Sequence, residues 1–259
     1  MTGCSQAARP GCTSTRSTGR PRPARSTPDS ASPPGCDGIR ATLSEDFGAR
    51  WSALHGGYDP RRSALVGWWL GLVRLLATPL VRARVSPNAV TALAVAAAAG
   101  AAVVAPALPV VAAGLVLANG LLDGLDGAVA VLSRRVTRLG FLLDSLADRV
   151  SDALLLVALW RAGAPGFAAV AAGVALGLLE YARARAGQAG MSDIGVVTVG
   201  ERPVRVVLTA AGLAVPASVL PGVAGAAAGA AAAATAVLAG IGLVQFLVVA
   251  VRRLAPPPG

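Results

Sequence analysis

Residues 109–160 read PVVAAGLVLANGLLDGLDGAVAVLSRRVTRLGFLLDSLADRVSDALLLVALW. Two apolar runs flank a turn that carries Arg134, Arg135 and Arg138, and four aspartates crowd towards that turn. A membrane-crossing helix needs about 20 apolar residues at ~1.5 Å rise each, and each run is long enough. Asp123 and Asp126 are three residues apart and Asp144 and Asp148 four apart, so each pair shares one face of its helix. The carboxylates of two antiparallel helices can then converge just inside one membrane surface. An aspartate at the bilayer centre costs up to ~2.5–3.5 kcal/mol, so a cation is expected among the four. Oxygen-only ligands select hard divalent ions such as Mg2+ or Mn2+, and two such ions would offset four negative charges. Structural ion pairs with Arg134, Arg135, Arg138 and Arg149 are the alternative. Gly124, Gly127, Ala128 and Ala130 strip bulk from the face bearing Asp123 and Asp126, which leaves room for a ligand and equally suits tight helix packing.

Outward from this stretch the chain stays apolar. Of 259 residues 54% are hydrophobic and only 14% charged, with a mean hydropathy of +0.64, whereas soluble domains carry ~25% charged residues. The reading is an all-α integral membrane protein with six transmembrane helices: Asn88 to Ala105, Pro109 to Leu132, Leu139 to Trp160, Gly166 to Arg185, Val204 to Leu220, and Gly225 to Val251. Pro106 to Pro109 and Pro221-Gly222 mark turns. Positively charged short loops stay cytoplasmic. Arg82, Arg84, Arg134, Arg135, Arg138, Arg183, Arg185, Arg202, Arg205, Arg252 and Arg253 fall on one side and only Arg161 on the other. Both termini are therefore expected in the cytoplasm of a multi-pass protein of the cell membrane. Ahead of the first span, residues 61–84 mix Trp68, Trp69 and leucines with arginines, as suits an amphipathic helix lying in the interface. A seventh span there is disfavoured by Arg74.

The net charge of +10 comes from 23 Arg and no Lys against 13 acids. Most of these arginines serve topology, so the charge is no sign of a nucleic-acid partner. Residues 1–45 are rich in Ser, Thr, Pro, Gly and Arg and poor in aliphatics, and are expected to be a disordered low-complexity tail. Cys4, Cys12 and Cys36 lie in it at spacings that match no zinc pattern. The first 30 residues hold no apolar run, which argues against a cleaved signal peptide. The expected organisation is tail 1–45, linker and interfacial helix 46–87, a six-span domain 88–253, and a short tail 254–259.

The segment Asp123-Gly124-Leu125-Asp126-Gly127-Ala128-Val129-Ala130-Val131, with Gly140, Asp144 and Asp148 following, resembles the signature of the CDP-alcohol phosphatidyltransferases, D-x2-D-G-x2-A-R-x8-G-x3-D-x3-D. One position departs, because Val131 stands where the family has Arg. That guanidinium normally contacts the nucleotide side of the donor, and Arg134 or Arg135, one turn on, could substitute. The resemblance spans residues 60–253. It implies that Asp123, Asp126 and Asp144 hold two divalent metals, with Asp148 near the second metal as general base. It also implies a CDP-lipid site formed by Asn88, Thr91, Gly127, Ala130, Thr137 and Gly140; the Ser86-Pro87-Asn88-Ala89-Val90-Thr91 stretch resembles the family's P-[ND]-x2-T. The implied activity is phospholipid biosynthesis by transfer of the phosphatidyl group from CDP-diacylglycerol to an alcohol, with release of CMP. Family members are commonly homodimers surrounded by membrane lipids.

Asp144-Ser145-Leu146-Ala147-Asp148-Arg149-Val150-Ser151-Asp152, Tyr181 to Ala186, and Glu201-Arg202-Pro203-Val204-Arg205 are most similar to the actinobacterial phosphatidylinositol phosphate synthases. Arg183, Arg185, Arg202 and Arg205 lie on the membrane side of the carboxylates, and guanidinium forks bind phosphate bidentately. A phosphorylated polyol acceptor is therefore expected, inositol 1-phosphate first and glycerol 3-phosphate next. A catalytically impaired relative is the reading that Val131 motivates. A membrane protein that binds or transports divalent cations is the reading from another class. Transport would call for acids near the midplane on several spans, whereas Glu180 is the only acid on a span other than the second and third, at its cytoplasmic end.

Overall fold

The structure, a computed structural model, describes residues 64–191, 198–215 and 221–254. The expected tail 1–45, residues 46–63 of the expected linker, and residues 255–259 lie outside the described residues. The described residues form seven α-helices: α1 (Ala64–Arg82), α2 (Pro87–Val104), α3 (Pro109–Leu132), α4 (Arg138–Arg161), α5 (Gly166–Gln188), α6 (Arg202–Leu213) and α7 (Pro221–Leu254).

Local chemistry sets the helix ends next to the aspartates. Pro87 and Pro109 open α2 and α3, where a missing N–H has no cost. The Ser86 hydroxyl accepts from the Ala89 N–H at 3.2 Å, and the Thr137 hydroxyl caps α4 by accepting from the Gly140 N–H at 2.9 Å. Helix α3 ends in a Schellman turn, with the Arg135 N–H bonded to the Ala130 carbonyl at 2.9 Å and the Arg134 N–H to that of Val131 at 3.3 Å. Arg134 adopts φ 56° to make this turn. Helix α1 ends the same way on Arg84, φ 58°, whereas α4 and α5 use Gly163 and Gly190.

Four helices are long and apolar enough to cross a membrane among the described residues: α2, α3, α5 and α7. The other two expected spans differ for separate reasons. Helix α4 has the length, at 24 residues, but carries Asp144, Asp148, Arg149 and Asp152 along its first two thirds. Helix α6 is 12 residues long, and residues 216–220 of the expected fifth span lie outside the described residues. Pro221, expected in a turn, instead opens α7, which runs unbroken for 34 residues.

Small residues let the helices approach closely. Helix α2 lies against both α3 and α4, α5 lies along α7, and α6 wedges between α3 and α7. Ala98, Ala101, Ala102 and Ala105 of α2 and Ala112 and Ala113 of α3 belong to the main core. At Gly120 a Cβ would come within 2.8 Å of Val206 Cγ1, and at Gly212 within 2.5 Å of the Ala231 Cβ. A side chain at either position would push α6 away from its neighbours, and with it Arg202. Asn119, fully buried, donates from Nδ2 to the Ala94 carbonyl at 2.9 Å and to the Ser151 hydroxyl at 3.3 Å, tying α2, α3 and α4 together. Leu70, Val73 and Ala77 of α1 form one buried stripe that packs with Leu125, Ala128, Val129 and Val131 of α3. That contact holds α1 against the end of α3 where the aspartates sit.

Candidate active site

The turn between α3 and α4 folds the two aspartate pairs towards one cavity of about 490 Å3. Asp123, Asp126, Asp144 and Asp148 all line it, as do Asn88, Thr91, Gly127, Ala130, Thr137 and Gly140. Every residue expected at the metal and CDP-lipid sites therefore borders a single space. Leu70 and Val73 of α1 supply an apolar wall, and Val131, Val136 and Phe141 add to it. Nothing lies within 4 Å of where a Gly127 Cβ would point, so that face is open. Gly140 is the reverse: a Cβ there would sit 3.0 Å from Thr137 Oγ1 and 3.9 Å from Asn88 Oδ1. A residue larger than glycine would thus crowd both the α4 cap and the cavity wall.

Asp123, Asp144 and Asp148 each place one carboxylate oxygen within 4.8 Å of the others. Asp126 lines the cavity but is not one of this trio. Its Oδ2 accepts from the Thr91 hydroxyl at 2.7 Å and its Oδ1 from the Gly127 N–H at 2.6 Å. The trio is half-buried and offers only oxygen donors. Among the described residues a single guanidinium touches it closely: Arg202 Nη2 lies 3.1 Å from Asp123 Oδ1, and Arg202 Nη1 bonds Asp148 Oδ1. Arg149 is more distant, 3.9 Å from Asp148 Oδ2. One close cation against four carboxylates leaves a surplus of negative charge in a poorly hydrated place. That surplus, with its all-oxygen donor set, fits a hard divalent ion.

The arginines expected at the acceptor site separate. Arg202 joins the carboxylate trio. Arg205, buried, lies 3.5 Å from Asp152 Oδ2 and 4.0 Å from Glu180 Oε1. Arg183 reaches Glu180 at 3.3 Å and Glu201 at 2.8 Å. Arg185 bonds the Gln188 side chain on the exposed surface and is not brought to the others. None of the four lines the cavity. The expected structural ion pairs are also redrawn: of Arg134, Arg135, Arg138 and Arg149, only Arg149 reaches an aspartate among the described residues, and its nearer carboxylates are Asp152 at 3.4 Å and Glu180 at 3.6 Å.

A second charged group emerges that residue spacing did not single out. Asp152, Glu180 and Glu201 meet Arg149, Arg183 and Arg205, with Glu180 within 4.0 Å of all three arginines. Glu201, just ahead of α6, does not cap its own helix; its Oε1 accepts from the Thr198 N–H at 2.8 Å and the Thr198 hydroxyl at 2.9 Å, besides Arg183. Burial pushes the Glu201 carboxyl up, but the Thr198 N–H and the Arg183 guanidinium more than offset this and hold it below its usual range. Helical phase offered a signal, since Arg149 and Asp152 are three apart, as are Glu180 and Arg183.

Known proteins resemble this arrangement. Archaetidylinositol phosphate synthase of Methanothermobacter thermautotrophicus is 37% identical over 101 residues, covering 39% of this chain and 51% of that protein. The synthase of the same name from Aeropyrum pernix is 35% identical over 100 residues, covering 38% of this chain and 52% of its own. The chain thus spans about half the length of the curated relatives it matches. Phosphatidylinositol phosphate synthase of Mycobacterium tuberculosis, solved in complex with manganese and citrate, superposes with a TM-score of 0.59 at 27% identity, covering 72% of this chain and 93% of that one. The same enzyme solved with CDP-DAG bound gives 0.59 and 27% over 72% and 98%. The model of the CDP-alcohol phosphatidyltransferase family matches residues 84–244, more than half of the chain, and the chain belongs to that family.

Proposed function

We propose that the protein transfers the phosphatidyl group of CDP-diacylglycerol to a phosphorylated polyol, inositol 1-phosphate in the first instance, and releases CMP. The observation that carries this reading is the cavity itself, in which the Asp123, Asp144 and Asp148 oxygens lie within 4.8 Å of one another beside Asn88, Thr91, Gly127, Thr137 and Gly140. The relatives named for inositol phosphate products support the choice of acceptor.

Asp123, Asp126, Asp144 and Asp148 would hold Mg2+ or Mn2+, two ions in all, and the bound metal would supply the positive charge that neutralises the donor's pyrophosphate. The protein's own groups do the rest. Thr91 fixes Asp126 through its hydroxyl, so that carboxylate is oriented before any ligand arrives. The open face at Gly127 and Ala130 admits the cytidine diphosphate head, with Asn88, Thr137 and Gly140 bordering it. Asp148 takes the proton from the acceptor hydroxyl as that oxygen bonds to the lipid-side phosphorus. The bond from this phosphorus to the bridging oxygen breaks, and CMP departs with the electron pair. Arg202, touching Asp148, sets the acceptor's phosphate next to the base. Arg183 and Arg205 shape that side of the site through Glu180 and Glu201, and Arg185 supplies charge at its outer edge.

The arrangement in the bilayer belongs to the same proposal. Helices α4 and α6 complete a six-span bundle with α2, α3, α5 and α7, forming a domain over 88–253, while residues 46–87 provide a linker and, in α1, an amphipathic helix lying in the interface. The carboxylate end of the bundle faces the cytoplasm at the cell membrane, both termini are cytoplasmic, and the chain works as a homodimer among membrane lipids. Residues 1–45 and 254–259 are tails.

The test is CMP release by the purified full chain, given CDP-diacylglycerol and Mn2+ or Mg2+, with inositol 1-phosphate, glycerol 3-phosphate or unphosphorylated inositol. Metal-dependent release that is fastest with inositol 1-phosphate is expected. No release with any alcohol would sink the reading, and release only with an unphosphorylated alcohol would overturn the acceptor.

A further inference from the structure

Among the described residues, Arg135 is the only cationic residue that lines the cavity. It stands on the α3–α4 turn, and its guanidinium has no hydrogen-bond or ion-pair partner among the described residues. Every other close guanidinium near the aspartates is already paired with a carboxylate. The backbone holds Arg135 in place: its N–H bonds the Ala130 carbonyl at 2.9 Å, which stacks it on the last turn of α3 beside Val131. That turn requires Arg134 at φ 56°, a left-handed conformation that L-residues adopt at a cost. Arg134 and Arg135 are both exposed, and of the two only Arg135 lines the cavity. Val131, where the motif would have an arginine, is only 5% exposed and packs with Leu70 and Val73 against α1. The cavity is therefore acidic at the Asp144 side, apolar along Val131, and cationic at the Arg135 rim.

We propose that Arg135 binds the phosphate of the donor's cytidine diphosphate head, doing from the turn what position 131 cannot do from the helix. This rests on the donor proposed above. A free guanidinium at the rim matches a phosphate oxygen by charge and by its forked donors. A bilayer phosphate could offer the same chemistry, so the test uses a ligand without lipid.

Equilibrium binding of CDP in the presence of Mn2+ would be measured on the full chain in a neutral detergent, together with Mn2+ binding alone. Losing a charge-assisted hydrogen bond should weaken CDP binding ~10-fold or more in Arg135→Ala, with Mn2+ binding unchanged and Arg134→Ala close to wild type. Adding Val131→Arg to Arg135→Ala should restore the affinity. CDP binding by Arg135→Ala as tight as by the wild type would overturn the proposal, and so would a loss that appears only as slower turnover in anionic vesicles, which would mark a bilayer contact. If the wild type binds Mn2+ but no CDP, the donor reading itself fails and Arg135 falls with it.

Discussion

Two groups of acids face the same end of this bundle, and they differ in how their charge is balanced. Around Asp144, four carboxylates border a cavity and, among the described residues, only Arg202 makes close contact with them. Around Glu180, the three acids Asp152, Glu180 and Glu201 meet the three arginines Arg149, Arg183 and Arg205. The second group is neutral by pairing and belongs to the scaffold that positions α5 and α6 beside α4. The first is left negative, which is costly unless a ligand completes it. An acidic cluster that remains uncompensated while its neighbour is balanced in charge is a cluster built to bind a cation.

That difference can be broken at several points. The largest effect is expected at Asp148: Asp148→Asn removes the proposed proton acceptor and should lower kcat ~10²–10⁴-fold, measured as CMP release, while the melting temperature stays near that of the wild type. Asp152→Asn should do the opposite. Asp152 is buried against Arg149 and Arg205, and removing one partner of a buried pair costs about 3–5 kcal/mol, read as a lowered midpoint of thermal unfolding. A stable Asp152→Asn would show that the second group is not structural. The smallest effect is a pH dependence from Glu201. Its carboxyl is held below the usual 4.5, so the stabilisation it brings is present above that pH and fades as the pH falls from there through its lowered folded value. Glu201→Gln should flatten this acid limb of the unfolding midpoint, and an unchanged limb would reject the assignment.

Much of the first group was legible in the sequence, because spacings of three and four on two runs joined by a short turn place side chains without knowledge of the tertiary fold. The caps at Ser86 and Thr137 were similarly local. Arg202 was not legible as a partner of Asp123 and Asp148. It reaches them only because Gly120 lets α6 close on α3, a contact no periodicity encodes. Arg185 was a different failure. Residues two apart on a helix point to different faces, so Arg183 and Arg185 could not both turn inward, and charge asymmetry alone hid this. Hydropathy marked the stretch of α4 as apolar overall while Asp144, Asp148, Arg149 and Asp152 loaded its first two thirds. A proline followed by glycine read as a turn at Pro221, yet the first position of a helix accepts proline equally well.

The central claim is that the uncompensated cluster takes a metal and the paired one does not. The most direct measurement is Mn2+ binding, followed by the loss of the free-ion electron paramagnetic resonance signal, on the purified wild type, Asp144→Asn and Glu180→Gln, which removes one carboxylate from the second group. Saturable binding by the wild type and by Glu180→Gln, lost in Asp144→Asn, is the predicted result. Binding that survives in Asp144→Asn but disappears in Glu180→Gln would contradict the account, because the ion would then belong to the acids whose charge the arginines already balance.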